Sequence, residues 1–444
     1  MSRLFVILFF NLVLLICPAI AGQVIYIDDD GPADYNRVQD GIDAAVSGDT
    51  VLVARGQYYE HLVINGKSIT LASNYLNSND DEDIIQTIID GNGIGTTLEI
   101  RNVTSSTTVM GLTFQNALDG IVPRSKFSLL HNRVVNCVDG IDYESGSGGI
   151  CRFNVFENNS DDGIDLDGAV DILIADNSII ANNDDGIEIR LHAYSGPLLT
   201  YTIRNNIIAD NGEDGIQLVD FPDVSDRVFY IENNIITGTV MAAVGCMSNG
   251  NTTENYEAAS IPEPVNMVNN IFFNNNYGIT GGDNMVVKNN IFANTTETAL
   301  KQVDGQSLIT YNIFWQNSID FDGSSSGPGN INADPLFADS TNGDYHVQSQ
   351  AGRYDPNVAN WVYDANTSPC IDGGALEDSI GYELFPNGGI INMGAYGGTA
   401  EASKSYFGSP ICETIVAGDI NGDCKVDFRD FAIMAFHWLE DNNP

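Results

Sequence analysis

Five times between residues 119 and 216 the chain repeats Asp-Gly-Ile, and the residues that follow each copy could do chemistry. If they alternate inward and outward as a β-strand does, the first outward residue is Val122, Asp142, Asp165, Glu188 and Gln217 in successive copies. The next is Arg124, Glu144, Asp167, Arg190 and Val219. Strands stacked at the usual ~4.8 Å would align Asp142, Asp165 and Glu188 in one column, with Glu144 and Asp167 beside it. Two like charges at that distance repel by about 1 kcal/mol in water and by several at an effective dielectric of about 20. Such a column is disfavoured unless something compensates. Arg124 and Arg190, at its ends, can supply part of the compensation. A bound calcium would supply more, and the turn acids Asp139, Asp161, Asp162, Asp184 and Asp185 offer further oxygens. An Asp directly before Gly is also explained as a plain turn former. The outward acids are not, because Thr, Ser or Asn would serve a solvated strand without repulsion. Asp142, Glu188, Arg124 and His192 are the side chains placed to touch a ligand. A solvated Arg190–His192 pair accounts equally for His192, and His61, His131 and His346 have no identifiable partner.

A second constellation stands in the tail. Asp419, Asn421, Asp423, Asp427 and Asp430 occupy positions 1, 3, 5, 9 and 12 of a twelve-residue loop, and Lys425 offers its carbonyl at position 7. That is the oxygen spacing of an EF-hand calcium loop. The apolar spacing from Phe428 to Leu439 predicts the helix that leaves it.

The elements that must position the first group follow from the period. Gly-to-Gly spacings of 20, 23, 23 and 29 residues, with short β-rich runs between, predict a solenoid whose repeats stack. Asn-led apolar runs punctuate it: Asn177-Ser178-Ile179-Ile180, Asn205-Asn206-Ile207-Ile208 and Asn269-Asn270-Ile271-Phe272 are examples. Each coil reads as strand, Asn turn, strand, Asp-Gly turn, strand, which is an all-β, right-handed parallel β-helix. Gly, and less readily Asn or Asp, takes the positive φ a sharp corner demands. Asn side chains stacked at equivalent corners can also hydrogen-bond along the axis.

Organisation and bulk composition narrow the class. Residues 1–21 carry Arg3, an apolar run and Ala19-Ile20-Ala21, the pattern of a secretory signal peptide. Residues 22–323 form the β-helix, opened by a strand, a short amphipathic helix within Tyr35 to Ala45 and a second strand, which would cover its exposed edge. The polar, acidic run at 72–87 is expected as a surface loop, and Asn249 to Glu263 as a loop on one rim. Residues 324–410 are expected as a C-terminal cap, and 411–444 as the calcium repeat. The net charge of -42, from 60 acidic against 18 basic residues, argues against nucleic acid or an anionic membrane as partner. No later run is apolar enough to span a bilayer. The expectation is a secreted or cell-surface monomer. Six cysteines remain after residue 21; Cys412 with Cys424, then Cys137 with Cys151, are the favoured pairs if disulfides form.

Two phrases carry resemblances. Asp161-Asp162-Gly163-Ile164-Asp165, with Asp139 one coil earlier, resembles the calcium site of family 9 polysaccharide lyases, β-helix enzymes that cleave polygalacturonate by β-elimination. The resemblance implies Asp139, Asp161, Asp162 and Asp165 as calcium ligands and a calcium-assisted lyase acting on a uronate-containing polysaccharide. That family uses a Lys as base; none lies between Lys126 and Lys288, so Arg190 inherits the part. Two alternatives stay open. One is a hydrolase using stacked Asp and Glu pairs, similar to galacturonases of this fold, whose His-Gly phrase is absent here. The other is a non-catalytic glycan-binding scaffold. The tail loop resembles one type I dockerin repeat, which implies a cohesin-like module as partner.

Overall fold

The computed structural model describes residues 22–221, 226–251, 256, 261–406, 418, 420 and 426–436. Residues 1–21, expected as a signal peptide, lie outside them, as do Cys412 and Cys424. Short strands turn at regular intervals and stack into three long parallel sheets of 12, 12 and 11 strands, a right-handed β-helix, the hand that parallel crossovers almost always take. We call them the first, second and third walls; they open with Val24–Ile27, Gly56–Tyr58 and Leu62–Asn65. Inward residues such as Phe127, Phe156, Ile164, Ile189, Leu218, Phe229 and Phe272 build one continuous core along the axis. The helix Val38–Ala44 closes the first coils by packing Val38 and Ile42 into that core.

Two corner ladders explain the abundance of Asn. Between the first and second walls, each coil's Asn takes the backbone N–H of the coil below, from Asn132 N to Asn154 Oδ1 (2.9 Å) up to Asn312 N to Asn330 Oδ1 (2.8 Å). The same side chains donate onward, as Asn206 Nδ2 does to Asn234 Oδ1 at 2.9 Å and to Ile174 O at 3.0 Å. A second ladder, Asn159–Asn182–Asn211, runs between the second and third walls. Positive φ falls on residues such as Asn136, Asn158 and Asp210. The glycines of the Asp-Gly-Ile phrase serve another purpose, since a Cβ on Gly140 would lie 2.4 Å from the Gly163 carbonyl oxygen. Close stacking of the coils, rather than left-handed backbone, demands Gly there.

Several expectations are corrected. The acidic run at 72–87 forms two short helices, Tyr75–Ser78 and Asp81–Gln86. Asp80 caps the second, and Arg55 holds Asp80 (3.1 Å) and Asp83 (2.6 Å); acids at a helix N-terminus favour its dipole. Cys137 and Cys151 are separate buried thiols, the first at a corner and the second on a first-wall strand, so no bridge joins them. The segment expected as a cap instead lies along the flank of the second wall. Its Tyr345, Val347, Cys370, Ile371, Met393 and Ala395 cover the outward residues Ile235, Ile271, Ile291 and Ile313. These wall strands are apolar on both faces because both faces are buried. The seam is fixed by Asn233 to the Ala395 and Gly397 carbonyls (both 2.9 Å) and by Lys288 to Asp378 (2.6 Å).

Candidate functional site

The site forms on the outward face of the third wall and at the corner that feeds it. Parallel register pairs Asp142 with Asp165, Asp165 with Glu188 and Glu188 with Gln217, and it also pairs Asp167 with Arg190. The expected column therefore exists. Its middle is not solvated: Asp165 and Glu188 are only 6% and 3% exposed, and Asp162, at the corner, 4%.

The Asp before each Gly has a structural duty. Asp139 Oδ1 accepts the N–H of Asp162 (3.3 Å), Asp162 that of Asp185 (2.9 Å), Asp185 that of Asp214 (2.7 Å), and Asp214 that of Ala242 (2.7 Å). Each of these carboxylates spends one oxygen on this staircase. Tyr256, from the 249–263 insertion, is buried and donates to Asp214 Oδ1 at 2.5 Å; nothing in its sequence surroundings marks it.

Along this wall and corner, four groups of carboxylate oxygens among the described residues come within 4.8 Å of one another: Asp162, Asp165 and Glu188; Asp161, Asp162 and Asp184; Asp142, Asp165 and Asp167; and Asp184, Asp185 and Glu213. Asp162 belongs to two of them, one with Asp165 and Glu188 and one with Asp161 and Asp184, while Asp139 stands outside these groups. Burial is the main cause pushing Asp139 up to about 6, Asp142 and Glu188 to about 7, and Asp165 to about 8. Neighbouring acids push in the same direction. Asp161, Asp162 and Asp185 are raised as well, again by burial first.

One cation is built in. Arg190 Nη1 lies 2.9 Å from Asp165 Oδ2 and 3.3 Å from Asp167 Oδ1, and its Nη2 meets Glu188 Oε2. Burial lowers its pKa, but Asp165, Glu188 and Asp167 together hold it above the ordinary arginine value. A guanidinium so held favours keeping its proton, which weighs against the part of base that the resemblance gave it. Asp165 Oδ1 and Asp142 Oδ1 are buried without a hydrogen-bond partner. An all-oxygen donor set with orphaned carboxylate oxygens fits a hard divalent cation such as calcium.

Arg124 lies toward the N-terminal end of this face, 2.5 Å from Glu144 and 3.5 Å from Glu99. With His61, Thr96, Asp119, Val122 and Asp142 it lines an open groove of about 420 Å³ that continues from the acid column. His192 is exposed at the other end, its ring 4.1 Å from that of Phe221, an aromatic edge that sequence pattern did not single out. The other histidines among the described residues have partners: His61 with the Thr96 carbonyl, His131 with the Tyr75 hydroxyl and His346 with Asp344. In the tail loop, Asp419, Asn421, Asp423 and Lys425 lie outside the described residues. Asp430 accepts the N–H groups of Ile420 and Asp427, both at 2.7 Å, and the helix Phe428–Phe436 follows.

Three walls around one core, with a buried acidic face on the third, define a right-handed parallel β-helix bearing a candidate cation site. The sequence comparisons fall in the same class: residues 96–258 match the right-handed β-helix region family and residues 215–374 the disaggregatase-related family. No curated protein matches the chain in sequence. Among solved structures, a pectate lyase superposes with a TM-score of 0.54 at 14% identity, covering 85% of this chain and 96% of its own. The A-module of a mannuronan C-5 epimerase from Azotobacter vinelandii follows at 0.39 and 13%, covering 70% and 88%. An α-1,3-glucanase catalytic unit from Streptomyces thermodiastaticus gives 0.41 and 13%, covering 67% and 65%. At these identities the likeness is one of fold. No helix among the described residues is long and apolar enough to cross a membrane.

Proposed function

We infer that this chain is an exported, divalent-cation-assisted lyase acting on a uronate-containing polysaccharide along the third wall. One observation carries it: Asp142, Asp162, Asp165 and Glu188, linked through overlapping close groups, are packed into a largely buried face with a single guanidinium against them and two oxygens without partners. Charge buried in that excess is costly unless an ion neutralises it. The structurally similar pectate lyase supports the substrate class by analogy only.

Asp162, Asp165 and Glu188, with Asp161 and Asp184 beside them, would hold the cation. When bound it would neutralise a uronate carboxylate and so acidify the adjacent C5–H. The groove past Asp119 and Arg124 would seat the chain to one side, and His192 with Phe221 the other. Asp142 is the proton acceptor: it is half-buried, one oxygen lacks a partner, and burial weakens its acidity to about 7, close to the optimum for a general base. As the C5 proton passes to Asp142, the C4–O bond breaks, the C4–C5 double bond forms, and the departing O4 takes a proton from water. The tail is read as a separate calcium loop.

Incubation with polygalacturonate and with alginate tests this. Ultraviolet absorbance of an unsaturated product, abolished by chelator and by Asp162→Ala, is expected. New reducing ends without that absorbance would assign a hydrolase, and saturable binding without product a glycan-binding scaffold.

A further inference from the structure

We propose that Arg190 is an internal counter-ion which a divalent cation drives off, so that filling the acid wall frees a guanidinium for the carboxylate of a bound uronate. This rests on the function inferred above. Arg190 spans Asp165, Asp167 and Glu188 at once. Two of those acids, Asp165 and Glu188, also belong with Asp162 to the trio whose oxygens could grip a cation. Ion and guanidinium therefore draw on the same negative charge from the same place, and they repel each other.

The ion holds the advantage. It carries twice the charge, and calcium accepts flexible oxygen geometry, whereas a guanidinium needs its acceptors near the plane of its fork. Arg190 also has an alternative position. Its side chain is 32% exposed, and of its three partners Asp167 is much the most exposed, at 37%. A swing toward Asp167 keeps one ion pair and turns the free N–H groups to the groove, where a carboxylate can take two of them side by side. Binding becomes ordered: cation first, then uronate. Coupling of this kind is reciprocal.

The test uses the full chain with Asp419→Ala and Asp423→Ala, which silence the tail loop, and calcium alone as the first probe. By calorimetry, Arg190→Gln is expected to bind calcium about tenfold more tightly than the parent, within the usual range of coupling between sites. In the parent, calcium is expected to speed modification of Arg190 by phenylglyoxal several-fold, read by mass spectrometry. Oligogalacturonate or oligoalginate added with calcium is expected to slow it again. Calcium affinity that is unchanged or weaker in Arg190→Gln, or an Arg190 that calcium protects, overturns the displacement while leaving the proposed function standing. Failure of both oligosaccharides to protect overturns the uronate half. A parent that binds no calcium removes the proposed function and this inference together.

Discussion

Asp165→Asn is the sharpest perturbation of the acid wall, because its effect should change sign with calcium. The substitution keeps the size of a side chain that is 6% exposed and removes one negative charge. Asp142 and Glu188 are its ladder neighbours on either side. At a rung spacing of ~4.8 Å and an effective dielectric of about 20, each repulsion is worth about 3.5 kcal/mol. Arg190 cancels roughly one of the two, so at about pH 9, where all three acids are ionised, the cation-free protein should gain about 3 kcal/mol, or about 3 °C in a chain of this length. With calcium the order inverts. The parent gains about 4.1 kcal/mol at a thousandfold excess over its dissociation constant, more than the variant's head start of about 3, and the variant gains little. The assay is thermal unfolding of both proteins in the Asp419→Ala, Asp423→Ala background, in chelator and in calcium. A variant that melts below its parent in chelator, or that shifts equally in calcium, would show that the wall is not a strained cation site.

Acid dependence follows the same logic. Asp139, Asp142, Asp165 and Glu188 keep protons in the folded state up to about 6, 7, 8 and 7, which the unfolded chain releases near pH 4. In chelator, stability should be fully present at about pH 4 and fall as pH rises to about 8. Calcium should suppress the fall and release protons on binding, measurable by calorimetry in buffers of different ionisation enthalpy. Asn206→Ala removes the donors to Ile174 and Asn234, orphans the N–H of Asn177 and leaves the Asn177 side-chain amide with only the Cys151 carbonyl. At about 1–3 kcal/mol per orphaned buried group, it should cost about 3–5 kcal/mol by denaturant unfolding, whereas Asn330→Ala, at the ladder end, should cost about half. Asp378→Ala leaves Lys288 and Asn289 without their shared acceptor. It should speed proteolysis within residues 334–405 while leaving fragments of the earlier coils intact.

Much of this structure is legible because the coil period sets register. Asp-Gly-Ile recurring every 20 to 29 residues dictates which acids stack, and the same count places Arg190 beside them. What the period does not reveal is burial. Asp165 and Asp167 both read as outward, yet only the first is enclosed. The helices at 75–86 are obscured because an acidic run reads as solvent-exposed loop, although acids after an N-cap also start helices. The doubly apolar strands Ile235–Thr237 and Ile271–Phe273 carry the sign of a covered face. Their cover lies far downstream, in segments such as Asn392–Ala395, with no periodicity of its own. The role of Gly in the repeat is hidden for a similar reason: a tight contact between coils leaves the same residue as a left-handed turn.

The flanking segment changes how this molecule should come apart. A solenoid is close to one-dimensional, each turn sensing only the turns above and below it. Asn233 bonded to Gly397 joins residues 164 positions apart, and Lys288 with Asp378 closes a second circuit of 90. Turns enclosed by these circuits must open as one cooperative block. The turns bearing the carboxylates, from Asp139 to Glu188, precede them and stay independent, so a ligand there tightens its own neighbourhood. Amide hydrogen exchange should show a gradient along the axis, with a step near residue 233.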